Sequence, residues 1–275
     1  MRVDFPYRVS ELDKLPEPFA DAVPPALEAI FIPPQGFGAW QGRGWWGRHR
    51  AAEPSRVLAL GPEQLWILEG QKEGIVLREA AFDELLEIEI GNVLLHAWVA
   101  FVADGAEPIR LDFNLVALPI FENLLDRVLD KLRDDNLEAS TGGSAGVAGL
   151  DLKFHNAVRG RLLPGEMLRA VAFSPAVWER RFLVLRRRLV AATAMAATDW
   201  RLLIVEEGEP VRENTYGSSA YSIPRSRIAD LRRTVDGVVV SFRTWGDERE
   251  RQVPFSRPED ATPVIAVIAG GEVEL

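Results

Sequence analysis

There is no cysteine in this chain of 275 residues, which excludes disulfides, thiolate metal ligands and cysteine nucleophiles. Histidine is nearly as scarce. His49, His96 and His155 are the only three, they stand far apart, and none lies in an H-E-x-x-H arrangement, so the sequence offers no zinc motif. No apolar run approaches the roughly 18 residues of a membrane-spanning helix. The opening MRVDFPYRVSELDKLPEPF has neither the apolar core nor the cleavage site of a signal peptide, and the expectation is a soluble, cytoplasmic protein. Lysine is rare too: Lys14, Lys72, Lys131 and Lys153 are the only lysines among 32 basic residues, against 41 acidic ones. A formal charge of −9 argues against nucleic acid as a partner. Phosphate-binding glycine motifs are missing as well, since GFGAWQG places its third glycine one position too late for a dinucleotide fingerprint and no Walker lysine motif or EF-hand loop occurs. No cofactor is expected.

What is present is the composition of a folded chain, 47% hydrophobic and 27% charged, long enough for two cores. Residues 134–149, DDNLEASTGGSAGVAG, are small and polar with four glycines and no apolar period, as in a flexible linker. The predicted organisation is an N-terminal extension over 1–23, a first domain over 24–133, a linker over 134–160 and a second domain over 161–275. Charge divides similarly, −11 over residues 1–139 and +2 over 140–275.

The two halves echo one another, and such echoes take precedence over motifs. ALGPEQLWILEG from Ala59 matches AATDWRLLIVEEG from Ala196, with Leu65 over Leu202 and Ile67 over Ile204. In the same order, LEAIFIPP at Leu27 matches LRAVAFSP at Leu168, Leu85 and Ile88 match Ile228 and Leu231, WVAF at Trp98 matches VVSF at Val239, and RLDF at Arg110 matches QVPF at Gln252. This collinearity reads as a duplication. In Gln64–Glu69 and Arg201–Glu206 both alternating sets are apolar, so both strand faces are expected to be buried, the second against the other half or under a loop. Each half then closes with a helix. PIFENLLDRVLDKLRDD repeats Ile120, Phe121, Leu124, Leu125, Val128, Leu129 and Leu132 at helical spacing, and DATPVIAVIAGG offers Thr262 as a cap, Pro263 for the first turn and Gly270 and Gly271 as a stop.

Many short strands with a terminal helix, in duplicate, resemble tandem pleckstrin-homology-like domains of the bacterial kind. LLPGE at Leu162–Glu166 looks like the entry to the first strand of such a domain. TDWRLLIV at Thr198–Val205 is similar to the threonine-aspartate pair before a leucine-isoleucine strand that recurs in that family, and YSIPRSRIADL at Tyr221–Leu231 resembles its isoleucine-proline turn. The first half is a more divergent copy, with Ala80 and Ala81 standing where Ile223 and Pro224 stand. The resemblance implies a mainly β (α+β) fold of two bent-sheet barrels, each closed by its C-terminal helix. It implies no chemistry, because that scaffold hosts lipid, peptide and protein binding alike.

Catalytic motifs fail on context. GGSAG at Gly142–Gly146 fits G-x-S-x-G in letters, but no apolar strand precedes Ser144, and no enzyme is expected. Glu87 and Glu89 alternate with Leu86, Ile88 and Ile90, which places both carboxylates on one strand face, read as solvated. Two constellations remain. WERRFLVLRRR brings Arg180, Arg181, Arg186, Arg187 and Arg188 within eleven residues, chemically adequate for anionic lipid headgroups, although alternating arginines also suit a solvated edge strand. QGFGAWQGRGWWGRHR carries Phe37, Trp40, Trp45 and Trp46 on a glycine-rich stretch; these rings, with Trp66, are candidate interface aromatics. The functional expectation is a non-enzymatic binding or scaffolding module, acting through protein or peptide interaction or self-association, with peripheral binding to an anionic membrane surface as the alternative.

Overall fold

The computed structural model describes residues 5–34, 54–133, 150–181, 185–208, 210–211, 214–215, 217–246 and 248–270. Among these, strand outweighs helix, 48% against 22%, so the chain is mainly β. It forms two compact units, Met1–Glu84 with Asp112–Lys131, and Leu85–Leu111 with Leu132–Leu275. The expected boundary at 133 is thus crossed by one hairpin, for a reason that lies in strand pairing.

The first unit is built on five antiparallel strands in the order β1 (Tyr7–Val9), β2 (Glu28–Ile32), β3 (Arg56–Leu60), β4 (Gln64–Gln71) and β5 (Gly74–Ala81). Leu65, Trp66, Ile67 and Leu68 on β4 are all buried, so both faces are covered as their apolar pattern requires. One face takes the rings and aliphatics of Val9, Leu15 and Phe19 onto Ala29, Phe31, Val57, Ala59, Trp66 and Leu68. The segment expected as an N-terminal extension therefore supplies an edge strand, a short helix α1 (Phe19–Ala22) and part of the core. Helix α2 (Leu118–Leu132) buries Phe121, Leu124, Leu125, Val128 and Leu129 of its predicted stripe, while Ile120 and Leu132 near its ends are half-buried.

The second unit contains β6 (Leu85–Val93), β7 (His96–Ala103) and the first residues of β8 (Ile109–Asn114). Then follow α3 (Leu152–Arg159), β9 (Leu168–Ser174), β10 (Val177–Arg181), β11 (Leu185–Val190), β12 (Thr193–Thr198) and β13 (Arg201–Glu207). The chain continues through the two-residue pair β14 (Pro210–Val211) and β15 (Asn214–Thr215), β16 (Ser218–Pro224), β17 (Ile228–Thr234), β18 (Gly237–Phe242), β19 (Glu250–Pro254) and α4 (Thr262–Ile268). Seven strands form one sheet in the order β8-β7-β6-β16-β13-β12-β9, while β17-β18-β19 form another. Here β6 lies antiparallel to β16, from Ser218 opposite Asn92 to Ser222 opposite Ile88. That ladder draws the β6–β7 hairpin into the second unit.

Among the described residues every sheet is open, so the expected barrels are not found as closed barrels. The edge that β6 would offer to its own half is occupied by β16. The second apolar face of β13 is not left to a loop either. Phe173, Ala194 and Val205 are cross-strand neighbours on that face, and the ring of Phe154 on α3 meets Phe173 at 5.1 Å between centroids. Helix α3 thus lies over this face, from within the stretch 134–160 expected as linker. Asp151 caps it, accepting a bond from the Lys153 backbone N–H at 2.9 Å. The opposite face of the sheet carries Ala172, Met195, Leu202, Ile204, Tyr221 and Ile223, packed with β18, Phe255 and α4.

The matched sequence blocks fall on matching elements: β2 and β9, the β3–β4 and β12–β13 hairpins, β6 and β17, β7 and β18, β8 and β19. Register extends the correspondence. Gln64 faces Ala81 and Arg201 faces Pro224, so Ala80 and Ala81 do occupy the positions of Ile223 and Pro224, and β5 corresponds to β16.

Candidate functional site

Among the described residues the strands that end the sheets of three or more strands, β1, β5, β8, β9, β17 and β19, each have an edge without a ladder partner; β5 is one of these in the first unit and β17 in the second. An edge strand presents a row of outward N–H and C=O groups, a template for another strand. Which groups point outward follows from the turns. Thr234 faces Gly237 across the two-residue β17–β18 turn, so this closing pair exchanges hydrogen bonds and Arg233 and Leu231 turn theirs away. Beside β17 lies a cleft of about 510 Å³, with Ile228, Leu231 and Ile268 as its apolar lining and Asp199, Arg225, Asp230 and Arg243 as its polar one. Arg225 donates to the Val267 carbonyl at 2.6 Å, and burial, assisted by the like charge of Arg169, lowers its pKa against the pull of Asp199. Arg243 Nε donates to the Ile228 carbonyl at 3.0 Å. Both guanidiniums are therefore anchored beside an open strand edge.

Arg180, Arg181 and Arg186–Arg188 sit on the β10–β11 hairpin. Its register pairs Trp178 with Arg188, Glu179 with Arg187 and Arg180 with Arg186. Arg187 is exposed, but Arg188 is committed to the fold, donating to the Gly208 carbonyl at 2.7 Å and lying 3.7 Å from Glu207. Trp178 and Leu189, 36% and 55% exposed, add apolar surface to the hairpin. Phe37, Trp40, Trp45 and Trp46 lie outside the described residues, as do Ser144 and His49. Trp66 is 8% exposed and belongs to the core of the first unit, so its ring is already used.

The face carrying Glu87 and Glu89 is not solvated as expected. Glu87 is 4% exposed and Glu89 half-buried. Both share their face with Tyr221 and, across β16, with Glu206, and the side chain of Arg251 on β19 reaches into this carboxylate group. Its Nη1 lies 2.7 Å from Glu87, its Nη2 3.9 Å from Glu206, and its guanidinium 3.4 Å from the centre of the Tyr221 ring. Trp98 Nε1 donates to Glu89 at 2.7 Å, and Arg110 stacks over the Trp98 ring at 4.4 Å. Burial raises the pKa of Glu87 and of Glu206, and the neighbouring carboxylates reinforce it while Arg251 opposes it. Tyr221 is raised by the same burial and the same acidic neighbours. The cluster ties β19 to the seven-stranded sheet. Sequence reading missed it because the partner comes from a strand 164 positions away.

A second buried pair gives physical content to two of the quoted sequence words. Arg201, at the head of RLLIV, makes two bonds of 2.7 Å to Glu166 of LLPGE, one from Nε and one from Nη2. It also donates to Ser222 Oγ at 3.0 Å and to the Arg161 carbonyl at 2.5 Å. Thr198 folds the turn before it, its Oγ1 accepting from the backbone N–H of Arg201 at 3.0 Å. The signal in the sequence was an arginine opening an otherwise apolar buried strand. Among the described residues no group of three His, Asp or Glu side chains is placed to hold a metal ion. Comparison with protein-family models, with curated proteins and with solved structures gave no match to this chain.

Proposed function

We propose that this chain is a non-enzymatic cytoplasmic binding and scaffolding protein of two pleckstrin-homology-like domains, and that it captures an extended segment of a protein partner along the free edge of β17. Apart from β1 and the β10–β11 and β14–β15 pairs, the chain twice runs four strands, three strands and a helix in one order, which supports the domain reading. The observation that carries the binding role is the contrast between two corresponding strands. In the first half β6 has an antiparallel strand on its outer edge over five residue pairs; its counterpart β17 has, among the described residues, an open edge beside a cleft with apolar and arginine lining. Strand addition supplies backbone hydrogen bonds of about 0.5–1.5 kcal/mol each, and neighbouring pockets supply selectivity.

The test is a library of random extended decapeptides panned against the protein and against Arg233→Pro. That substitution removes an outward N–H while leaving the β17–β18 ladder its bonds. Peptides retained by the parent and lost from a folded Arg233→Pro variant are expected. Retention of none, or equal retention by both, would overturn the reading. The β10–β11 hairpin favours a second reading, attachment to an anionic lipid surface, on the observation that Trp178, Arg187 and Leu189 are each exposed on it.

A further inference from the structure

We infer that the partner strand seated on β17 is β5 of a second copy of this chain, so that copies join head to tail by repeating between molecules the ladder that β16 and β6 make within one. The inference rests on the reading of β17 as a binding edge. Its starting point is correspondence: β5 occupies the place of β16, and β17 the place of β6. Within the chain the first of these pairs its outer edge with the second. Among the described residues each copy is left with one unused member of each kind.

Carried over residue for residue, the internal register sets Ile75 opposite Val235, Val76 opposite Thr234, Leu77 opposite Arg233, Arg78 opposite Arg232 and Glu79 opposite Leu231. The backbone agrees. Gln71 faces Gly74 across the β4–β5 turn, so Ile75, Leu77 and Glu79 turn their N–H and C=O outward, and Leu77 and Glu79 meet the outward groups of Arg233 and Leu231. The exposed apolar residues agree as well: Val76 and Leu77 are 37% and 47% exposed on β5, and Val235, 95% exposed, is the first residue of the turn after β17. Arg78 would face Arg232, but Arg232 is held by Glu250 at 2.7 Å and Asp230 at 3.8 Å, a trio with one net negative charge. Glu79 falls diagonally across from Arg233. Charges on both faces of the new ladder are thus complementary. Because the two edges differ, the contact is heterologous, and association continues until a ring closes or a chain of copies forms.

The absence of cysteine makes the test clean, since one introduced thiol is the only thiol. Val76→Cys in a heavier, tagged copy is mixed with Thr234→Cys in an untagged copy under mild oxidation. In this register the two positions form a non-hydrogen-bonded pair with Cα atoms about 4.5 Å apart, within disulfide reach. A mixed disulfide between the two copies is expected, lost when Leu77→Pro is added to the Val76→Cys copy, because that proline removes only an outward N–H. Unmodified protein is expected to sediment as more than one copy with increasing concentration, and Leu77→Pro as a single copy. Homodimers of Val76→Cys in place of the mixed species, undiminished cross-linking with Leu77→Pro, or a single copy at all concentrations would each overturn the inference. Any of these, together with peptides that need the Arg233 N–H, would remove the second copy as partner and leave β17 as a binding edge.

Discussion

Arg201→Met should be among the most damaging single substitutions in the second unit. Arg201 and Glu166 expose 1% and 0% of their side chains and share two bonds of 2.7 Å. At about 4 Å between charge centres and an effective dielectric of about 20, their attraction is worth about 4 kcal/mol. Methionine fills much of the volume but leaves Glu166, among the described residues, with the Leu163 N–H at 2.8 Å as its remaining donor. It also strips the Arg161 carbonyl and Ser222 of a partner. Removing one member of such a buried pair costs about 3–5 kcal/mol, so with a urea dependence of about 2 kcal/mol/M the midpoint should fall by about 2 M. Glu166→Leu should cost a similar amount by stranding the guanidinium. The double variant, with no buried charge left, should return to within about 2 kcal/mol of the parent. Urea unfolding followed by circular dichroism measures all four proteins. If Arg201→Met cost less than about 1 kcal/mol, or the two single losses simply added in the double variant, the pair would not hold the fold in the way argued.

The carboxylate cluster makes stability depend on pH in an unusual direction. Burial raises the pKa of Glu206 in the folded protein, so its favourable contribution is complete below the unfolded value near 4.5 and is lost as pH rises through the raised value. Glu206→Gln should therefore melt higher than the parent at pH 8 and no higher at pH 4; an equal shift at both would refute this. On the hairpin, Arg186→Ala with Arg187→Ala should weaken co-sedimentation with anionic vesicles by about 2 kcal/mol, roughly thirtyfold, if that surface binds lipid. Equal sedimentation of parent and variant would exclude it. Arg188 is kept out of that variant because its bonds to Gly208 and Glu207 serve the fold.

Local order was legible in the sequence. The apolar period of Phe121–Leu129 produced a helix with that stripe buried, and the paired apolar sets around Leu65 and Leu202 produced strands covered on both faces. Gly270, offered as a stop, adopts a φ of +84° just beyond α4, where a side chain would be strained. Thr262 does not cap from outside; it begins the helix and bonds back to the Glu259 carbonyl at 2.6 Å. Residues 152–159 looked like linker because an eight-residue helix is too short for its period to stand out beside glycines.

What the sequence alone determined is the succession of strands and helices and the face each buries, since these depend on neighbours two to four residues apart. Only the tertiary structure decided which edges meet. Hydrogen bonds between strands are made by backbone groups that every residue carries, so nothing in the alternation of β6 names β16 as its partner or leaves β17 and β5 open. The same limit hid the burial of Glu87. A carboxylate on a strand is solvated or enclosed according to what arrives opposite it, and Arg251 arrives only when the chain has folded.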